Sequence, residues 1–225
     1  SPRFSEGRVY FSSEPYEWGQ TTSLARMEHQ DMIVLDLASR DRRVMRTAQW
    51  TSWDVPNHDG LVSLSPDGRA IAFSRKAKDG WAWFGDPMLG GYRLLVAQKT
   101  ASGDWSKPTP FPFVEKGYTF VHPTWSPDGS RLYFATDLPS PESQGGIDLW
   151  YADRNGTFWE EPINLGPTIN TPGDEVFPSF DTEGTLYFSS NGHPSLGGLD
   201  IYSSKQIPAA DASERHWRAG DDWSE

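Results

Sequence analysis

One pattern recurs four times along this chain, and no other feature restricts its fold so far. The segments are Pro2–Ser12, Leu64–Ser74, Trp125–Ala135 and Phe180–Ser189. In each, a glycine-bearing turn (Glu6-Gly7, Asp67-Gly68, Asp128-Gly129, Glu183-Gly184) leads into an alternating apolar run that closes on Phe11, Phe73, Phe134 or Phe188. Phenylalanines at 11, 73, 134 and 188 set repeats of 62, 61 and 54 residues. A repeat of this length means one supersecondary unit copied along the chain, each copy needing its neighbours to bury its apolar faces.

The unit reads as four antiparallel strands. The glycine supplies the positive φ of a tight hairpin, and alternating apolar residues follow. Third strands are expected at Met32 to Leu37, Arg93 to Ala97, Asp148 to Ala152 and Asp200 to Ser203. Second turns fall at Ser39 to Asp41, Ser102-Gly103 and Asn155-Gly156. Outer fourth strands are marked by Trp105-Ser106-Lys107-Pro108 and Trp159-Glu160-Glu161-Pro162. A proline suits an edge strand, where a missing N–H costs little. The fold class is therefore an all-β propeller of four-stranded antiparallel blades, with four repeats visible, whole or as part of a larger propeller; a β-sandwich is the alternative that the shared Asp-Gly and Tyr-Phe-Ser positions count against. The expected organisation is a single propeller over 1–225, with blades at about 1–56, 57–116, 117–170 and 171–220.

Two of the turns, Ser65-Pro66-Asp67-Gly68 and Ser126-Pro127-Asp128-Gly129, resemble the PD40 (WD40-like) repeat of TolB-like propellers. The last two blades carry the resemblance furthest. Their runs are Asn164 to Thr171, Asp174 to Phe180, Leu186 to His193 and Gly197-Gly198-Leu199-Asp200-Ile201-Tyr202. They are similar to PD40 proteins of the bacterial envelope, many of which carry a peptidoglycan-binding OmpA-like domain after the propeller. The likeness covers about 60–205. Blade one departs from it: it lacks the Gly-Gly pair, and a short helix is expected over Ser23 to His29. No OmpA-like sequence follows within these residues, so peptidoglycan binding is not carried over. The location implied is periplasmic or outer-membrane associated, in a bacterium.

Composition narrows the partners. A net charge of −11 argues against nucleic acid and against an anionic membrane surface. No apolar run approaches the roughly 20 residues of a membrane helix. The absence of cysteine excludes disulfides, thiolate metal sites and a cysteine nucleophile. Ser1 opens the chain without a signal sequence, as in a mature product or a fragment.

Loop lengths point to one functional face. The loops joining second and third strands are long: Ser13 to Asp31, Arg75 to Gly91, Thr136 to Gly146 and Ser190 to Gly198. Long loops on a rigid scaffold are where binding usually sits. Trp81, Trp83 and Phe84 offer a stacking platform in one of them, with Tyr16 and Trp18 at the equivalent place in blade one. Packing beneath their own loop is the alternative. Asp174 and Glu175 precede the innermost strand of blade four, and Asp59 aligns with Glu175. With Asp148 and Asp200 they offer oxygen ligands for Ca²⁺ or a cationic side chain, against the plainer role of capping turns. No cofactor is otherwise implied. His58, His122 and His193 fall near the same face, but their spacing follows the repeat and not a metal-ligand motif.

No nucleophile elbow, phosphate loop or His-Glu-x-x-His motif is present. The reading is a non-catalytic envelope propeller that binds a protein or cell-wall component. Its binding residues would be Trp18, Trp81, Trp83, Phe84, His122, Asp174, Glu175 and His193. The alternatives are the regulatory propeller of a prolyl-oligopeptidase-like hydrolase, or a propeller glycosidase or lyase.

Overall fold

A computed structural model describes the backbone of residues 3–5, 8–13, 31–36, 45–46, 59–76, 91–194, 197–207 and 216–219. Side chains are described for 61–76, 91–194 and 197–205. Every regular element among the described residues is a strand, and the strands form four antiparallel sheets. The expected helix over Ser23 to His29 lies outside the described residues.

The first sheet holds β1 (Arg3–Ser5), β2 (Arg8–Ser13), β3 (Asp31–Asp36) and β4 (Met45–Arg46). The second holds β5 (Asp59–Leu64), β6 (Ala70–Lys76), β7 (Tyr92–Gln98) and β8 (Thr109–Pro110). The third holds β9 (Phe120–Trp125), β10 (Arg131–Thr136), β11 (Asp148–Asn155), β12 (Phe158–Trp159) and β13 (Ile163–Asn164). The fourth holds β14 (Glu175–Phe180), β15 (Thr185–Ser190), β16 (Asp200–Ile207) and β17 (His216–Ala219). Strands within each sheet pair in chain order, except that β12 and β13 both pair with β11. This up-and-down, four-stranded unit is the blade of a β-propeller. The blades group as two compact units, Ser1–Gly117 and Tyr118–Glu225.

The outer strand of blade three is split for a local reason. β12 pairs with Arg154 and Asn155, and β13 with Trp150 and Tyr151. Pro162 lies between the two pieces and has no N–H for the ladder. Blade two does the same around Pro108, with Lys99 bridging Trp105 on one side and β8 pairing with Leu95 and Val96 on the other.

The second strands form the core. Residues 70–74 of β6 and all six of β10 are buried. A strand buried on both faces loses the polar alternation of a surface strand. Phe73, Phe134 and Phe188 occupy one register, opposite Leu95, Trp150 and Tyr202, and all three are buried. In blade two Phe73 packs with Val62, Ile71, Leu95 and Ala97. In the second unit the Phe134 ring lies 5.8 Å from Phe120, and Tyr133 meets Phe180 of the next blade edge-on at 4.8 Å.

Candidate functional site

The two ends of a blade are built differently, beginning with the hairpin turns. Ser65 Oγ donates to Asp67 Oδ1 at 2.6 Å and accepts the Ala70 N–H, while the Arg69 N–H donates to the same Asp67 oxygen. Ser126, Asp128, Ser130 and Arg131 repeat the arrangement in blade three. Gly68 and Gly129 take φ of 66° and 72°, the left-handed conformation that closes the hairpin. Burial pushes the Asp128 carboxyl up, but hydrogen bonds from Ser126 and Ser130 outweigh it and hold the group below the usual carboxylate range. The Ser-Pro-Asp-Gly signature thus closes its turn with hydrogen bonds among its own residues.

At the other end of blade three, the segment 164–175 crosses to blade four and latches onto β11. The Asn170 amide acts as a surrogate strand: Leu149 N–H donates to its Oδ1 at 2.8 Å and its Nδ2 donates to Leu149 O at 2.9 Å. Leu165 N–H also donates to Leu149 O. Asn164 Nδ2 donates to Asp148 Oδ2, and Asn164 Oδ1 accepts from Gly166 N–H and Asn170 Nδ2. Farther along, Ile147 N–H donates to Asp174 Oδ1, and Glu175 N–H donates to Ile147 O.

Glu175 is fully buried. Thr171 N–H donates to its Oε2, while the Thr171 and Ser190 hydroxyls donate to Oε1. A buried carboxylate persists only with such donors. Asp174 closes the seam: its N–H donates to Asn191 Oδ1 at 2.7 Å, and Asn191 Nδ2 returns a bond to its Oδ2. The backbones approach closely here. A Cβ on Gly173 would lie 2.8 Å from Gly192 Cα, and one on Gly192 would run into the Thr171 side chain. Burial pushes the Asp148 carboxyl up, against the donors from Gln144 and Asn164, and the Glu175 charge adds to the rise. Its Oδ1 is buried with no hydrogen-bond partner among the described residues.

The inner strands carry a strained pair. His122 and Phe177 both have positive φ, 54° and 57°, and neither is glycine. Each sits in the bulge of its strand, where the register shifts opposite Phe134 and Phe188. The usual bulge places its first residue near the right-handed helical region. Here a proline follows, Pro123 or Pro178, and disfavours that region for the residue before it. Both residues take the left-handed conformation, at about 1–3 kcal/mol of strain. The two rings lie 4.0 Å apart between centroids, and Phe177 N–H donates to His122 Nδ1 at a long 3.5 Å. Burial drives the His122 pKa down to about 4, so the imidazole is neutral at pH 7. A neutral ring accepting at Nδ1 carries its proton on Nε2. Phe177 remains 43% exposed.

Of the residues singled out from sequence, Asp174 and Glu175 stand together in the latch. His193 joins them through its Nε2, 2.8 Å from Ile169 O, with its ring 4.9 Å from that of Tyr202. His122 stands apart, against Phe177. Asp59 shares the register of Glu175, two positions beyond the core phenylalanine's partner pairing, opposite Arg75 where Glu175 faces Ser190. Trp18, Trp81, Trp83 and Phe84 lie outside the described residues, as does His58. No group of three or more His, Asp or Glu among the described residues is arranged to hold a metal ion, and the oxygens of Asp174 and Glu175 are engaged by N–H and O–H donors. Phe177 and Asn170 were not among the sequence candidates. The signal for Phe177 is its place before Pro178, matching His122 before Pro123.

No protein-family model matches the chain, and no curated protein matches it in sequence. Solved structures do match in fold. A protein described as TolB from Agrobacterium tumefaciens aligns over 88% of this chain at 14% identity, with a TM-score of 0.52. TolB from Acinetobacter baumannii aligns over 95% at 12% identity and a TM-score of 0.54. A prolyl endopeptidase structure aligns over 97% at 17% identity and a TM-score of 0.53. The chain spans 56%, 40% and 28% of those three proteins. At these identities the likeness establishes the fold, a TolB-like β-propeller.

Proposed function

We propose that the chain is a non-catalytic propeller of the bacterial envelope that docks a protein partner through its inner-strand end. The observation that carries this reading is Phe177. It is a large ring held exposed at a strained backbone position and backed by the half-buried His122. Strain of this kind persists only where surrounding structure enforces it, and it collects at binding sites. An aromatic anchor fixed in advance loses little entropy on binding, which is the character of a contact hot spot. The loop aromatics Trp18, Trp81, Trp83 and Phe84 extend the same proposal. The PD40-like runs at 164–171 and 197–202 support a periplasmic or outer-membrane location, and the TolB neighbours agree with it.

The test is photocrosslinking from position 177 in bacterial periplasmic extract, beside pull-down on isolated cell-wall sacculi. One predominant protein adduct is expected, with Phe177→Ala weakening capture by tenfold or more. Capture by sacculi alone, or capture indifferent to Phe177→Ala, overturns the reading. A propeller that regulates a hydrolase would use the same scaffold, and the solved neighbours include both kinds. That second reading predicts that the partner is an α/β-hydrolase domain whose peptide cleavage changes when the chain is added.

A further inference from the structure

Asparagine followed by glycine occurs twice in the chain, at Asn155-Gly156 and at Asn191-Gly192. The pair is chemically reactive, because glycine has no Cβ to hinder attack of its own backbone nitrogen on the asparagine side chain. Both asparagines are exposed, and residues 91–194 around them are described without a break. Access to water therefore does not tell the two sites apart. Their hydrogen bonds do.

Asn191 is fastened at every polar atom that matters. Its Oδ1 accepts the Asp174 N–H at 2.7 Å, its Nδ2 donates to Asp174 Oδ2 at 3.3 Å, and its own N–H donates to Asp174 O. The Gly192 N–H donates to Ser190 Oγ at 3.0 Å. The side chain to be attacked and the nitrogen that would attack it are both engaged. Asn155 is the opposite case. It ends β11 opposite Phe158 of β12, and Gly156 opens the two-residue hairpin between them with φ of 62°. Among the described residues, no hydrogen bond engages the Asn155 side-chain amide or the Gly156 N–H, while the Gly156 carbonyl accepts from Arg154 Nε at 3.2 Å. A Cβ on Gly156 would meet nothing within 4 Å, so the tip is open around the reacting atoms. The hairpin also opens locally at low cost, since β12 has two residues and Phe158 is 77% exposed.

We propose that Asn155 deamidates in the folded protein through attack by Gly156, and that the latch protects Asn191 from the same reaction. The Gly156 nitrogen passes its proton to a solvent base and bonds to Asn155 Cγ. The Cγ–Nδ2 bond breaks and the amide nitrogen leaves as ammonia, which gives a five-membered succinimide. Water then opens the ring at either carbonyl. One product is aspartate, and the other is isoaspartate, in which the main chain runs through the former side chain. The net change converts an amide and a water into a carboxylic acid and ammonia, with no oxidation. Either product adds a negative charge beside Arg154, on a chain already at −11. Isoaspartate also lengthens the main chain by a carbon directly opposite Phe158. The outer hairpin of blade three thus changes charge and register with age, while the seam between blades three and four is spared. The proposal is independent of the role proposed for Phe177.

The test is peptide mapping by mass spectrometry of the intact folded chain aged in mildly alkaline buffer, beside a sample aged in urea. In the folded chain the peptide holding Asn155 should convert tenfold or more faster than the peptide holding Asn191. In urea the latch is gone, both sites are plain Asn-Gly sequences, and the two rates should converge. Asn155→Gln should remove the fast phase of ammonia release while leaving the melting temperature unchanged, since position 155 is exposed. Equal rates at the two sites in the folded chain, or faster conversion at Asn191, overturns the proposal. So does an Asn155 that converts in urea but stays intact in the folded chain, or fast ammonia release that persists in Asn155→Gln.

Discussion

At the turn end of blade three most side-chain hydrogen bonds link residues two to five apart, as between Ser126 and Asp128 or Arg131 and Ser126, and the Arg131–Asp153 ion pair adds a long link. At the latch end, local bonds such as Thr171 to Glu175 are joined by a set that links residues 15 to 27 apart: Ser190 to Glu175, Leu149 to Asn170, Ile147 to Asp174. Both ends are dense in Asp, Asn, Ser and Gly, and they look alike as composition. The Ser126, Asp128 and Ser130 hydrogen bonds of the turn need only the turn's own residues to form. The latch end exists only when two blades are already docked, and its carboxylates are committed to that docking. Polar richness in a propeller loop is therefore no guide to a binding site until the span of its hydrogen bonds is known.

The largest effect should come from the core that both ends share. Phe134→Ala removes a fully buried ring and should cost about 3–5 kcal/mol by urea denaturation. Hydrogen exchange should show protection falling at both ends together. Loss at one end only would mean that the ends are not coupled through β10.

Next comes the latch. Glu175→Ala strips the acceptor from Thr171 N–H and from the Thr171 and Ser190 hydroxyls in a buried setting. The expected cost is about 2–4 kcal/mol. Glu175→Gln keeps an acceptor and should recover part of it. If Glu175→Ala retains wild-type stability, the carboxylate is free for another role and the contrast between the ends fails.

A pH titration sharpens the same contrast. His122 has a folded pKa of about 4, below its ordinary 6.5, because burial disfavours the cation. The unfolded chain thus takes up the proton first. Stability is full above pH 6.5 and falls as pH drops from about 6.5 to about 4. The loss should be on the order of 2–3 kcal/mol. Melting curves of His122→Gln across this window should lack that slope. An unchanged slope would assign it to other groups.

The smallest effect belongs to the turn. Asp128→Ala removes local bonds at a solvent-facing hairpin, and about 1 kcal/mol is expected. The depressed carboxyl pKa adds stability above its unfolded value that is lost as pH falls through the folded one. A cost equal to that of Glu175→Ala would erase the distinction between the two ends.

The sequence by itself determined what depends on neighbours in the chain. Asp-Gly turns, alternating apolar strands and the Phe73, Phe134, Phe188 register are properties of short segments, and the pairing of β10 with β11 follows from them. Pro108 and Pro162 mark the outer strands, though not that each proline would split its strand in two. Tertiary structure decided the rest. That Asn170 serves as a strand for Leu149, that Glu175 is buried and that Phe177 rests on His122 are facts about partners 15 to 55 residues away. An Asn or Glu reads the same in sequence whether it caps a turn, binds a ligand or fastens two blades. Only the docking of one blade on the next removes water from these groups and selects among those roles, because desolvation makes an unpaired polar group too costly to keep. The same docking tells Leu149 from Ile201. They are near-identical in pattern, and among the described residues Leu149 is buried and Ile201 exposed.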